Sequence, residues 1–179
     1  MKKILVIIMV LILSACTLNL ESGPKEIVKE FLDKYKKQDE KVLSDLDSSI
    51  TSIYTGKYKQ RYKDLMIKQY KNMDYKITDE IIEDNSAVVT VEIIVYDYSK
   101  TLEYVNNYVK EHKEKFLKES SSEIDNNKYL DYKLGELEKV VDKKSYIINF
   151  SLIKEKNDWI IDNLDKTDIE KIHGIYIEQ

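Results

Sequence analysis

Cysteine is almost missing from this chain, occurring once in 179 residues, at Cys16. With one thiol there is no internal disulfide, so any core must hold without covalent staples. Proline also occurs once and glycine four times. The loops should therefore be few and the elements regular. The two histidines, His112 and His173, lie far apart among scattered acids, without the ligand spacing of a zinc site. There is no phosphate-cradling glycine loop, dinucleotide fingerprint, G-x-S-x-G nucleophile or EF-hand loop. Asp39-Glu40, Asp45 with Asp47, and Asp125-Asn126-Asn127 read as solvated runs rather than calcium loops. A net charge of −4, with lysines scattered among acids, argues against nucleic acid as a partner.

One long apolar run is present. Lys2 and Lys3 precede an unbroken stretch from Ile4 to Leu13, and Ser14-Ala15-Cys16 follows. Ten such residues rise about 15 Å as a helix, roughly half of a bilayer's hydrocarbon core. That length fits a secretory leader rather than a membrane span. Leu13-Ser14-Ala15-Cys16 resembles the lipobox of bacterial lipoproteins. The resemblance implies cleavage before Cys16, a diacylglyceryl group on its sulfur and an acylated (palmitate-type) amino terminus. Two or more chains give stable anchoring where one does not. The expected organisation is a signal peptide at 1–15, a lipidated spacer at 16–23 and one domain at 24–179. The expected location is the outer face of the cell membrane, held by lipid on Cys16. Losing Lys2 and Lys3 leaves the exported chain more acidic. Plentiful Lys, Asn, Ile and Tyr suit the coding bias of an AT-rich, low-GC Gram-positive genome.

Apolar periodicity predicts the elements. Pro24 opens a helix with Ile27, Val28, Phe31, Leu32 and Tyr35 on one stripe, and Glu26 near its positive end. A short second helix starts near Asp39 and carries Val42, Leu43 and Leu46, and an irregular link at 47–56 follows. A longer helix places Tyr58, Tyr62, Leu65, Met66, Gln69, Tyr70 and Met73 along one side, a pattern that suits packing on a sheet. Strands are expected at 74–82 and 87–98. In the second, Ala87, Val89, Val91, Ile93 and Val95 share one face, while Val88, Thr90, Glu92, Ile94, Tyr96 and Tyr98 make a mixed face suited to another layer or a partial groove. Ser99 should cap a helix reaching about Glu119, with His112 at one of its apolar positions. A polar break and a helix at 129–141 come next, the latter weakened by Gly135. Residues 145–153 and 159–164 form a hairpin, and Ile169 and Ile172 mark a short helix. His173, beside Gly174, is expected at the surface.

The resulting order predicts an α+β fold, with a curved antiparallel sheet of about four strands packed on N-terminal helices. A helical insertion separates its two hairpins. The Pro24-led helix, the short helix after Asp39, the alternating valines and a hairpin reading Ser145-Tyr146-Ile147-Ile148-Asn149-Phe150 … Asn157-Asp158-Trp159-Ile160-Ile161 resemble the cystatin-like/NTF2-like superfamily. More narrowly, they resemble uncharacterised Firmicutes lipoproteins with that domain. Their last hairpin often ends in Asp or Gly, Trp, Lys, Ile, with the Trp between sheet and helices. Trp159 and Ile161 match, and Ile160 departs from the Lys. The resemblance spans about residues 24–164, and the insertion at 99–141 is longer than the plain pattern needs.

Enzymes of that superfamily place an acid, or an Asp/His pair, in the cone between sheet and helices. Here the acids to consider are Glu92, with His112 as a partner, and Asp97 at the end of the long strand, with a tyrosine as partner or simply as a helix cap. Neither forms a recognisable active site, so no catalytic residue, cofactor or metal is assigned. Glu92, Tyr96, Tyr98, Tyr62 and His112 are candidate groove-lining residues. Phe31, Val91, Phe150 and Trp159 are candidate core anchors. The leading expectation is a non-catalytic binding or accessory domain that meets an envelope protein or ligand. The alternatives are an envelope scaffold dimerising through its open sheet face, and a small NTF2-like enzyme.

Overall fold

A computed structural model of the chain describes residues 22–162 and 164–178. The leader at 1–15, Cys16 and all but the end of the spacer fall outside them. Helix α1 (Pro24–Lys36) begins on proline at its first turn. One of its free N–H groups is met from outside, because the Glu80 carboxylate accepts from the Lys25 backbone N–H at 3.1 Å and pairs with the Lys25 ammonium at 3.2 Å. Gln38 turns the chain with φ 57°, and the Asp39 side chain caps α2 (Glu40–Thr51). That helix runs further than its apolar residues predicted. Ser48, Ser49 and Thr51 bond back to carbonyls of their own helix, and Ile50 is buried, so only a short turn precedes α3 (Gly56–Asn72).

Strands β1 (Asp74–Glu83) and β2 (Ser86–Tyr96) form the first hairpin. Next come α4 (Tyr98–Glu111), a 3-10 turn at Lys113–Phe116 and α5 (Asn126–Glu138). Strands β3 (Lys143–Glu155) and β4 (Asp158–Ile161) make the second hairpin, and α6 (Lys166–His173) follows. Several expected boundaries move. Strand β2 ends at Tyr96, so Tyr98 opens α4 instead of closing the strand's mixed face, and α5 lies at Asn126–Glu138 rather than 129–141. Asp97, not Ser99, caps α4, its carboxylate accepting from the Lys100 N–H and from the Ser99 hydroxyl. The helix then stops at Glu111 rather than near Glu119, because His112 leaves helical geometry at φ −121°, ψ 41°. His112 is thus a C-terminal cap and not an apolar helix position.

The four strands pair antiparallel in the order β1-β2-β3-β4, with the helical segment inserted between the central two. The sheet is not tightly curved, a correction to the expected curl. Strong bending is introduced by bulges, and the ladders show one register irregularity, in β1 between Ile77 and Asp79.

Alternation in β2 and β3 puts Val89, Val91, Ile93, Ile148 and Phe150 on the inner face without solvent contact. Val28 and Leu32 of α1 and Ile172 of α6 cover them. Each such side chain contributes about 1.5–3 kcal/mol on burial. The opposite, mixed face is open among the described residues: Val88 is 38 % exposed and Ile147 52 %. No second layer covers it. Helices α2 to α5 enclose a second core built on Tyr58, Leu65, Met66, Tyr70, Leu134 and Leu137. The tyrosine and methionine side of α3 therefore packs mainly among helices, and only its end, through Met73, joins the sheet-side core. Tyr35 touches both cores, its ring meeting Tyr70 edge-on at 5.1 Å.

Candidate functional site

Two cavities open beside one another on the helical side. One, of about 430 Å³, lies between α1, α2 and α6, with Phe31, Tyr35, Tyr70 and Ile169 among its walls. The other, of about 480 Å³, lies among α2 to α6, with Tyr54, Tyr62, Met66, Leu102, Leu137 and Ile175 among its walls. Both are lined by Leu46 and Ser49 of α2 and by Ile169 and His173 of α6, so they form two lobes of one cleft. Each lobe has the volume of a small-molecule or side-chain pocket.

The end of α6 sets the shape of that cleft. Gly174 closes the helix in the left-handed region at φ 71°, and its N–H and that of Ile175 return to Lys171 and Glu170 carbonyls. A β-carbon there would collide with the Tyr96 carbonyl oxygen and the Gln69 amide. Gln69 itself is fully buried, accepting from the Tyr96 N–H at 2.9 Å and donating to the Ile172 carbonyl at 3.4 Å. The Ser99 N–H donates to the Gly174 carbonyl at 2.9 Å. One buried amide thus ties α3, the end of β2 and the end of α6 together.

His173 follows from this docking. The expectation of a surface position is overturned: its ring lines both lobes, and Nε2 lies 2.9 Å from the Tyr70 hydroxyl. Burial lowers the imidazole from the ordinary 6.5 to about 4, and burial holds the Tyr70 phenol well above its usual range. Both are neutral at pH 7. Among the described residues no carboxylate is hydrogen bonded to His173, so the pair lacks the orienting acid of a general base. Asp39 is occupied as a helix cap, and Asp45 is 3.5 Å from the Lys41 ammonium.

Lys133 is the cleft residue that sequence reading missed. It lies on α5, one turn before Leu137, and contributes to the larger lobe. Its Nζ sits 3.4 Å from the Tyr54 hydroxyl and about 6 Å from the Tyr54 and Tyr129 ring centres. Among the described residues no carboxylate pairs with it, and burial lowers its ammonium below the ordinary lysine value. The other charges on that lobe, Lys166 and Glu170, pair with each other at 3.4 Å. A lysine inside the Leu130–Leu134–Leu137 pattern was the available signal.

The five groove candidates do not converge. Tyr62 and Tyr98 line the larger lobe, with Tyr62 stacked on Tyr54 at 4.7 Å. Glu92 stands on the open sheet face opposite Lys76 and Ile147 and lines neither lobe. Tyr96 lies at the end of β2 with Lys68 and Lys143 over its ring. His112 meets the Tyr108 ring at a tilt with centres 4.3 Å apart, in an aromatic group with Phe116 and Tyr132. Glu92 and His112 form no bond with one another. Asp97 serves α4. Of the core anchors, Val91 and Phe150 are fully buried, while Phe31 and Trp159 pack on that core half-buried.

Among the described residues, no group of three or more His, Cys, Asp or Glu side chains could hold a metal ion. None of the described helices is long and apolar enough to cross a membrane. The site defines a class: a small α+β domain with an aromatic-walled cleft in which, among the described residues, no carboxylate is hydrogen bonded to His173. No protein-family profile matches the chain. No curated protein is similar to it in sequence. Among solved structures, it is similar to a Bacillus subtilis protein (ycdA) provisionally classed as a lipoprotein, with 17 % identity and a TM-score of 0.41. That likeness covers 88 % of this chain and 48 % of the other, so the chain spans about half that protein's length.

Proposed function

We propose that the chain is a lipid-anchored bacterial lipoprotein whose domain binds a ligand or partner in the two-lobed cleft, without catalysing a reaction. The observation that carries the binding reading is the cleft itself, apolar, open and shared by α2 and α6. The anchor rests on Leu13-Ser14-Ala15-Cys16 after its short apolar run. In this reading residues 1–15 are removed, 16–23 tether the domain, and 24–179 work at the outer face of the cell membrane. The topology of hairpin, helical insertion and hairpin supports a cystatin-like/NTF2-like domain of the kind carried by Firmicutes lipoproteins. Tyr62 and Tyr98 are then ligand-facing, whereas Glu92, Tyr96 and His112 serve other surfaces.

A Cys16→Ser variant should leave the membrane fraction. Persistent membrane association would sink the anchor. For the cleft, the full-length lipoprotein is crosslinked in cells and its partners identified, with Ser49→Trp as the comparison. Ser49 is exposed and borders both lobes, so an indole there fills the cleft without disturbing the core. An envelope partner captured equally by both proteins would place binding elsewhere. The open sheet face favours a second reading, an isologous dimer through Val88, Ile94 and Ile147, and recovery only of the chain's own copy would support it.

A further inference from the structure

Among the described residues, the larger lobe has one charged group without an opposite partner. Its wall is made of aromatic and aliphatic side chains, and the Lys166–Glu170 pair is neutral as a unit. Lys133 alone brings uncompensated positive charge to it, held by a long hydrogen bond to a phenol. A lysine normally keeps its ammonium in water while its stem covers apolar surface. Withdrawing that group against Tyr54 and Tyr129 costs solvation, which a neutral phenol and two ring faces at about 6 Å only partly return. An anionic group entering the lobe would supply the missing partner.

From the cleft reading above, on which this rests, we infer that the occupant is an amphiphilic carboxylate of the fatty-acid type. Its head pairs with Lys133, and its apolar tail lies along Tyr62, Leu65 and Met66 toward the second lobe past Leu46 and His173. Leu46 and Ile169 on the shared wall give the tail an apolar crossing between the lobes, and the neutral His173–Tyr70 pair beside it adds no charge. A short polar anion would leave most of that wall unfilled. A neutral amphiphile would leave Lys133 as it is.

The test uses membranes bearing the full-length protein, photolabelled with a diazirine fatty acid or with the corresponding diazirine fatty alcohol. Labelled peptides are mapped by mass spectrometry, and any label at Cys16 is counted separately. The expected result is acid labelling in residues 42–54 and 166–175, lost in Ser49→Trp. Lys133→Met should reduce acid labelling roughly ten- to hundredfold, the worth of one charge-assisted hydrogen bond, and leave alcohol labelling unchanged. A thermal melt of each variant establishes that it folds. Equal labelling by acid and alcohol, indifferent to Lys133→Met, would overturn the carboxylate and leave the cleft reading standing. No cleft labelling by either probe would also overturn it. The cleft reading itself would then fall only if partner capture were also insensitive to Ser49→Trp.

Discussion

The two cores of this molecule are built on different rules. The sheet-side core is closed: aliphatic side chains from β2 and β3 alternate inward, and α1 and α6 seal them off from solvent. The helical core uses tyrosines at positions where the sheet uses valine and isoleucine, and it encloses space. A β-branched side chain fills a pleated surface without asking for a polar partner. A tyrosine must bring its hydroxyl to water or to an acceptor, as Tyr58 does to the Asn127 carbonyl and Asp131, and Tyr70 to His173. The side that packs less completely is where a ligand can enter.

The contrast breaks most sharply at Phe150. Phe150→Ala should destabilise the protein by about 3–5 kcal/mol, because no solvent path lets its site refill or collapse. At about 2–4 °C per kcal/mol for a domain of this size, the melting temperature should fall by roughly 10 °C. A drop of only a degree or two would mean that the sheet core is as yielding as the cleft side.

Next in size is Gly174, where the two cores meet. Gly174→Ala combines left-handed strain of about 1–2 kcal/mol with overlap against Tyr96 and Gln69 worth another 1–3. Gly56, also left-handed at φ 54° but with open space around it, is the control. Gly56→Ala should cost only the strain. Chemical denaturation of both variants separates the terms, and equal losses would mean that the α6 docking carries no weight.

The smallest effect is read from pH. His173 protonates near 4 when folded and near 6.5 when unfolded, so between those values the unfolded chain takes up a proton that the folded chain refuses. Stability should therefore fall as pH drops from 6.5 toward 4 and be independent of this group above 6.5. The ring edge still meets the cleft, so about 2 kcal/mol is expected rather than the full shift. His173→Gln should flatten that part of the denaturation profile. An unchanged slope would show that the histidine is not sequestered.

Sequence reading served the two cores unequally for the same reason. Period-two alternation in Ala87–Val95 and Tyr146–Leu152 names the buried residues outright, since each strand has only two faces. Helix stripes name a buried side but not its partner: the side of α3 expected to meet a sheet packs chiefly on other helices, and only Gln69 and Met73 reach the sheet side. Chain termination was also hard to read, because Ser and Thr in α2 bond within the helix instead of ending it. His112 leaves the α4 helix although its neighbours keep the apolar spacing. That Lys133 and His173 line one cleft was not legible, since their surroundings come from elements tens of residues away.

Alone, the sequence determined the alternating strands, the proline-led first helix, the missing motifs and the short apolar run ending at Leu13-Ser14-Ala15-Cys16. These are properties of neighbouring residues, and spacing along the chain encodes them. Only the tertiary structure decided that one sheet face stays open, that Gly174 draws α6 onto Gln69, and that His173 and Lys133 line a common cleft. Desolvation and pairing depend on which distant atoms surround a group, and the chain's folding path through space, not its local pattern, supplies those atoms.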